Sequence, residues 1–179
     1  MSWLEPVTLV GETIRLEPLA VNHEHDLIAA VRDGELWQLW YTSVPDPTQM
    51  NAEIARRLSL AAAGSMLPFA VIERATNLAV GTTIYMNVDA VNRRVEIGST
   101  WYRKRVQRTG DRLGCIAVEF RTSSFNFPSR AAIERLGAKR DGILRSHAAH
   151  ANGTLRDTYV YSITAAEWPI VRAHLTAKR

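Results

Sequence analysis

The 179 residues predict a mixed α/β (α+β) chain folded as one domain, with strands crowded in the middle and helices flanking them. Three observations carry that prediction. Apolar, β-prone runs recur between residues 68 and 102 with asparagine turns between them. Helix caps and glycine stops bracket polar-apolar segments on either side. An Asn-Gly pair at 152–153 joins two further strand-like runs.

The elements follow in chain order. Thr8 to Leu19 alternates like a half-buried strand, with a turn at Gly11. Asn22 fits the cap of a helix running to Asp33, and Gly34 breaks it. Glu35 to Tyr41, with Trp37, Leu39 and Trp40, reads as a short helix or turn ended by Pro45 and Pro47. Thr48 fits the cap of the next helix, through Ile54, Leu58 and Leu60 to Gly64. Pro68–Glu73, Leu78–Asn87 and Arg94–Tyr102 then form an antiparallel meander, turned at Asn77 and Asn92. Ile116–Arg121 is a further strand. Asn126 caps a helix that tolerates Pro128 in its first turn and ends at Gly137. Gly142–His147 and Thr154–Ile163 form a hairpin about Asn152-Gly153. Thr164-Ala165-Ala166-Glu167 fits a capping box opening a last helix through Leu175.

Composition narrows the function classes. With 46% hydrophobic and 22% charged residues, the chain builds a core and does not read as disordered. The single cysteine, Cys115, excludes an intrachain disulfide and reads as a buried thiol in the run Cys115-Ile116-Ala117-Val118. No Cys/His cluster has zinc spacing, so no metal is expected. The N-terminus carries no signal-peptide pattern and no run reaches the ~18 apolar residues of a membrane span, so the expected location is the cytoplasm with no membrane partner. A net charge of +4 and a pI near 9.6 point to an anionic partner. Arg103, Lys104, Arg105 and Arg108 concentrate that charge within six residues.

Two segments carry chemistry. Val95 to Tyr102 leads into Gln107-Arg108-Thr109-Gly110, a strand followed by a glycine-bearing polar loop whose N–H groups can converge on a phosphate. Taken alone, a single glycine after a strand is more often a plain turn. Val118 to Ala138 is a strand–loop–helix with Asn126, then Ser129, then Leu136-Gly137 at fixed offsets.

With that spacing the chain resembles the GNAT (Gcn5-related) N-acetyltransferase superfamily, and within it the RimJ/RimL-like branch. Glu96-Ile97-Gly98, Asn152-Gly153, Arg156-Asp157-Thr158-Tyr159-Val160-Tyr161 and the opening Ile14-Arg15-Leu16-Glu17-Pro18-Leu19 also fit, so the resemblance covers roughly residues 8 to 170. It implies a single N-acetyltransferase domain over 1–179 with its motif core at about 94–137. The implied fold is a mostly antiparallel twisted sheet with one splayed parallel strand pair, flanked by helices. The implied reaction is acetyl transfer from acetyl-CoA, as cosubstrate, to a primary amine by direct attack, the amine being a protein N-terminus or a small molecule.

The resemblance also implies roles. Glu119 matches the position of a carboxylate proposed as base in some ribosomal-protein acetyltransferases, and Glu96 is a second candidate on the neighbouring strand. Either could instead be a strand carboxylate paired with an arginine. The tyrosine acid found seven residues after the Asn in many members is here Ile133, which leaves Ser129 as the candidate acid. Trp101, Gln107, Arg108, Thr109, Gly110 and Asn126 are the implied coenzyme contacts. Trp37, Trp40, Tyr41 and the 147–153 hairpin are the implied lining of the acceptor site.

One departure stands out. In the family the pyrophosphate loop opens a long helix that crosses to the next parallel strand. Here Asp111-Arg112 follows Gly110 and Leu113-Gly114-Cys115 reads as the start of that strand. Two residues cannot form a crossover, so about 15 residues of the family pattern have no counterpart. A segment of the natural chain not represented here, a shortened chain, and a protein that lacks the helix all fit. The motifs on both sides favour the first; the third implies weak coenzyme binding. Two other functions stay in view: a basic RNA- or ribosome-binding module using Arg103 to Arg108, and a catalytically inactive acyl-CoA-binding relative. Nucleic acid is disfavoured by the lack of a binding motif, and a homodimer is left open.

Overall fold

A computed structural model describes residues 5–89, 91–92, 94–103, 117–150 and 152–177. Eight strands form one sheet: β1 (Leu9–Val10), β2 (Ile14–Pro18), β3 (Met66–Glu73), β4 (Leu78–Asp89), β5 (Arg94–Tyr102), β6 (Ala117–Ser123), β7 (Lys139–Ala149) and β8 (Leu155–Thr164). Their order is β1-β2-β3-β4-β5-β6-β8-β7. Neighbours are antiparallel except β5 and β6, which run parallel. The helices are α1 (Glu24–Arg32), α2 (Met50–Ala62), α3 (Phe127–Arg135) and α4 (Trp168–Ala177).

The side-chain period of two sorts the sheet into two faces. On one face α1 and α2 bury Leu27, Ala30, Val31, Met50 and Ile54 against Ala70, Ile72, Ala79 and Trp101. Each fully buried leucine or isoleucine there contributes about 1.5–3 kcal/mol. Arg57 is 2% exposed within this layer, its charge held by Glu53 at 2.6 Å and its other arm by the Thr82 hydroxyl at 2.8 Å. On the opposite face α3 and α4 bury Ile133 and Val171 against Phe120, Tyr161 and Ile163. Phe69, Tyr85 and Val95 continue that face, with Phe69 and Tyr85 edge-to-face at 5.1 Å.

Several expected boundaries move for local reasons. The first strand is a hairpin, because the chain turns at residues 11–13. Asn22 does not cap α1: residues 21–23 form a 3-10 turn, and His23 Nδ1 accepts from Ala20 N instead. Thr48 does not cap α2: it lies in a 3-10 turn, Pro47–Gln49, that precedes the helix and is capped by Asp46, whose side chain accepts from Thr48 N at 2.8 Å. The meander, the Asn126 cap and the Asn152-Gly153 hairpin stand where expected, with Gly153 at φ +81°. Thr164 N donates to Glu167 at 3.1 Å, the reciprocal half of the expected capping box.

The crossover also differs from expectation. The β5–β6 pair does form, its register running from Arg94↔Ala117 to Ile97↔Phe120. The described strand begins at Ala117, opposite the start of β5, so residues 103–116 connect the two strands. That length meets the dozen or so residues a parallel connection needs. The assignment of Leu113–Cys115 to a strand falls outside the described residues.

Candidate active site

The site grows from a defect in the ladder. Between Ile84↔Gly98 and Thr82↔Trp101 strand β5 carries an extra residue, and Ser99 sits at φ +46°. A bulge of this kind bends and over-twists its strand. Gly81 marks how closely the strands approach there: a Cβ on it would lie 2.2 Å from the Trp101 carbonyl oxygen, so no side chain fits. Beyond the bulge β5 stays with β4, while β6 stays with β8 through Ser123. The parallel pair therefore parts after Ile97 and Phe120. Its two inner backbone edges, from Gly98 and from Arg121 onward, are no longer paired to each other.

At the apex of this wedge, on the α1–α2 face, stand Glu96 and Glu119, which are register partners. Their surroundings distinguish them. Both oxygens of Glu119 are engaged by guanidinium groups, one from Arg94 and one from Arg121, the latter at 3.3 Å. Glu96 is 7% exposed; its Oε2 accepts from Asn87 Nδ2 at 2.6 Å and lies 3.4 Å from Arg121 Nε. Burial pushes the Glu96 carboxyl above its ordinary range, and Asn87 and Arg121 only partly hold it down. A cavity of about 200 Å³ opens beside the pair, lined by Asn87, Asp89, Arg94, Glu96, Glu119 and Arg121.

Asn126 and Ser129 lie on the other side of the wedge. Asn126 Oδ1 accepts from Ser129 N at 3.1 Å and closes the first turn of α3. Helix α3 packs through Ile133 on Phe120, whose side chain points opposite to that of Glu119. The wedge thus separates a carboxylate on one face from a half-buried serine on the other.

Trp101 divides between the core and the wedge. Its indole is 5% exposed among Leu19, Leu27, Met50 and Ile54, so its side chain belongs to the α1–α2 core, and only its backbone lies along the wedge. Gln107, Arg108, Thr109 and Gly110 lie outside the described residues. At the splayed end, Trp40 meets Tyr41, Phe125 and His150 with ring centroids 4.8–5.7 Å apart. This brings one named tryptophan, its neighbouring tyrosine and the hairpin together. Sequence reasoning missed Asn87, Arg94, Arg121 and Arg156. Arg121 was within reach, since it lies two residues past Glu119 on the same strand face. Asn87 was not, because it reaches Glu96 from a left-handed conformation at φ +49°. No group of three His, Cys, Asp or Glu side chains is placed to hold a metal among the described residues.

A mostly antiparallel sheet opened at one parallel pair, with a buried carboxylate at the opening, defines an acyl-transfer architecture. The acetyltransferase (GNAT) domain model matches residues 13–139, and the chain belongs to that family. It is accordingly an acetyl-CoA-dependent acetyltransferase, since members of the family use that cosubstrate. A GCN5-related N-acetyltransferase from Brucella melitensis is 29% identical, with a TM-score of 0.80 over 97% of this chain and 86% of that one. Mycobacterium smegmatis RimJ, solved in complex with CoA-disulfide, is 22% identical, with a TM-score of 0.76 over 99% and 96% of the two chains. RimL, a ribosomal L7/L12 alpha-N-protein acetyltransferase, is 16% identical, with a TM-score of 0.75 over 89% and 94%. The last two share the fold. No curated protein matches the sequence.

Proposed function

We propose that this chain acetylates a primary amine by direct attack, with Glu96 as the base and Ser129 as the acid. The observation that carries the proposal is the environment of Glu96. It is a carboxylate at the wedge apex, buried enough to hold a proton more tightly than usual, yet with Oε1 free of the guanidinium clamp that occupies Glu119. A base of raised affinity is better matched to neutral pH than an ordinary carboxylate. Glu119 then serves as the structural carboxylate that fixes Arg94 and Arg121.

The unpaired backbone edges of β5 and β6 fit the amide groups of the coenzyme's pantetheine arm, and Asn126 lies at the mouth of the same wedge. Acetyl-CoA supplies the activated acetyl group. The chain's residues do the rest. Glu96 accepts the proton that the attacking nitrogen must lose as its bond to the acetyl carbon forms. The Ser129 hydroxyl delivers a proton to the sulfur as the carbon–sulfur bond breaks and regains one from solvent, to which Glu96 releases the proton it took. Opposite faces of the sheet suit these opposite proton movements. By analogy with the RimJ and RimL folds, the acceptor amine is a protein N-terminus or a small molecule entering over Trp40 and Phe125.

Thiol release from acetyl-CoA, measured across a panel of amines and N-terminal peptides, tests the reading. The expected result is amine-dependent release with a matching acetylated product by mass. Tight acetyl-CoA binding without release for any amine would instead identify an inactive coenzyme-binding relative.

A further inference from the structure

Building on the acetyl-transfer reading above, we propose that the preferred acceptor carries a carboxylate a few bonds from its amine, gripped by Arg121 and Arg156 while the nitrogen lies beside Glu96. Both arginines stand on the face that carries Glu96. Arg121 faces Val160 across the β6–β8 ladder, and Arg156 follows on β8 at even spacing, past Thr158, which faces Ser123. They therefore extend from the wedge apex toward its open end.

Their bonding is incomplete in the same way. The Nε atom of each is buried and has no hydrogen-bond partner among the described residues. Arg121 gives Nη2 to Glu119, and its Nε lies 3.4 Å from Glu96 Oε2 without hydrogen-bond geometry. Arg156 is partly buried; that burial weakens its hold on its proton, and the charge of Glu96 restores only part of it. The resident carboxylates relieve this only in part. Glu119 is engaged on both oxygens by Arg94 and Arg121, Asp89 is bonded to Asn92 N and Nδ2, and Glu96 pairs with Arg121 by charge while its hydrogen bond comes from Asn87. Buried donors left unpaired are costly, and a guanidinium is satisfied best by a planar carboxylate.

The cavity of about 200 Å³ beside Glu96 and Arg121 lies toward Asn87, Asp89 and Arg94 and has room for a group the size of one side chain; Arg156 stands outside it, further toward the opening. Reading from apex to opening, the face offers a carboxylate base and then two guanidinium groups. That order matches an ammonium and a carboxylate on one small molecule or one residue. A free amino acid and a peptide beginning with Asp or Glu share this chemistry.

The test uses the whole chain, acetyl-CoA and matched acceptor pairs. One arm compares free amino acids with their amides. The other compares C-terminally amidated peptides beginning with Asp or Glu against those beginning with Asn or Gln. In one arm the carboxylate member is expected to show a kcat/KM higher by about tenfold or more, the scale of one charge-assisted hydrogen bond, and that arm identifies the source. Arg156→Gln should drive the ratio toward one. Arg156→Lys, which keeps charge but not the fork, should leave an intermediate ratio and controls for folding. Calorimetry on CoA-saturated protein should show the N-acetylated carboxylate binding more tightly than its amide. Ratios at or below one in both arms, with uncharged amines still acetylated, would overturn this inference and leave acetyl transfer intact. Failure to bind acetyl-CoA or to release thiol with any amine would overturn both.

Discussion

Glu96 and Glu119 are register partners on one face, and their different hydrogen bonds are the basis of the different roles proposed for them. At pH 7, Glu96→Gln should lower kcat by about 10²–10⁴, the usual contribution of a positioned base, with little change in melting temperature. Glu119→Gln should do the reverse: kcat changes less than about tenfold, while the protein melts earlier because Arg94 and Arg121 lose their shared partner. The pH profile adds a sign. Burial raises the Glu96 carboxyl, so its deprotonated form appears at higher pH than an ordinary glutamate's, and kcat should rise along a limb displaced above 4.5. The groups facing it are Asn87, Glu119, Arg121 and Arg156. Asn87 donates to the ionised form, so Asn87→Ala should move that limb further toward neutral pH. A limb that stays put in Asn87→Ala, or survives in Glu96→Gln, would remove Glu96 from the base role.

At the scale of elements, helix α3 allows structure and chemistry to be separated. Asn126→Ala deletes the oxygen that caps Ser129 N and should cost about 1 kcal/mol, or roughly 2–4 °C in a chain of this size. Ser129→Ala keeps that backbone N–H and should melt like the parent while kcat falls. Equal losses of stability in both would reduce Ser129 to a first-turn residue. Helix α4 offers a pH test. Lys139 at 2.7 Å, followed by the Thr164 backbone and hydroxyl, lowers the Glu167 carboxyl to about 2. A depressed carboxyl contributes stability above its unfolded value near 4.5 and loses it as pH falls toward about 2. Glu167→Gln should flatten that part of the acid-unfolding curve, weakly, because the pair is exposed and screened.

The same elements show what the sequence disclosed. Local chemistry was legible: the Asn126 cap, the Asn152-Gly153 turn and the three-strand meander follow from residues a few positions apart. The parting of β5 from β6 was not, because it depends on a bulge at Ser99 that only the β4 partner defines. The burial of the Trp101 side chain was not legible for the same reason, since the extra residue turns it into the α1–α2 core. Glu96 and Glu119 were readable as carboxylates on adjacent strands. The partners that separate them, Asn87 and Arg94, come from opposite ends of the turn between β4 and β5.

For the whole molecule, the question is whether a chain with only residues 103–116 between its parallel strands still holds acetyl-CoA. Pairing of β5 with β6 through four register positions, and of β6 with β8 through seven, shows that the parallel pair is formed and built into the sheet. The wedge and the α3 cap lie apart in sequence from Gln107 to Gly110, and under the proposed reading they are the part of the site that faces the pantetheine arm. Ligand that binds only the folded chain stabilises it by mass action, by about 2.7 kcal/mol at one hundred times Kd. For a domain of this size that corresponds to roughly 5–11 °C. Thermal melts against acetyl-CoA should therefore rise logarithmically with concentration. Arg108→Ala should move the curve to higher ligand concentration if the loop contributes to pyrophosphate binding, and leave it in place if the wedge alone holds the coenzyme. No shift at millimolar acetyl-CoA would mean that the short connection has cost the chain its cosubstrate, and with it the catalytic assignment.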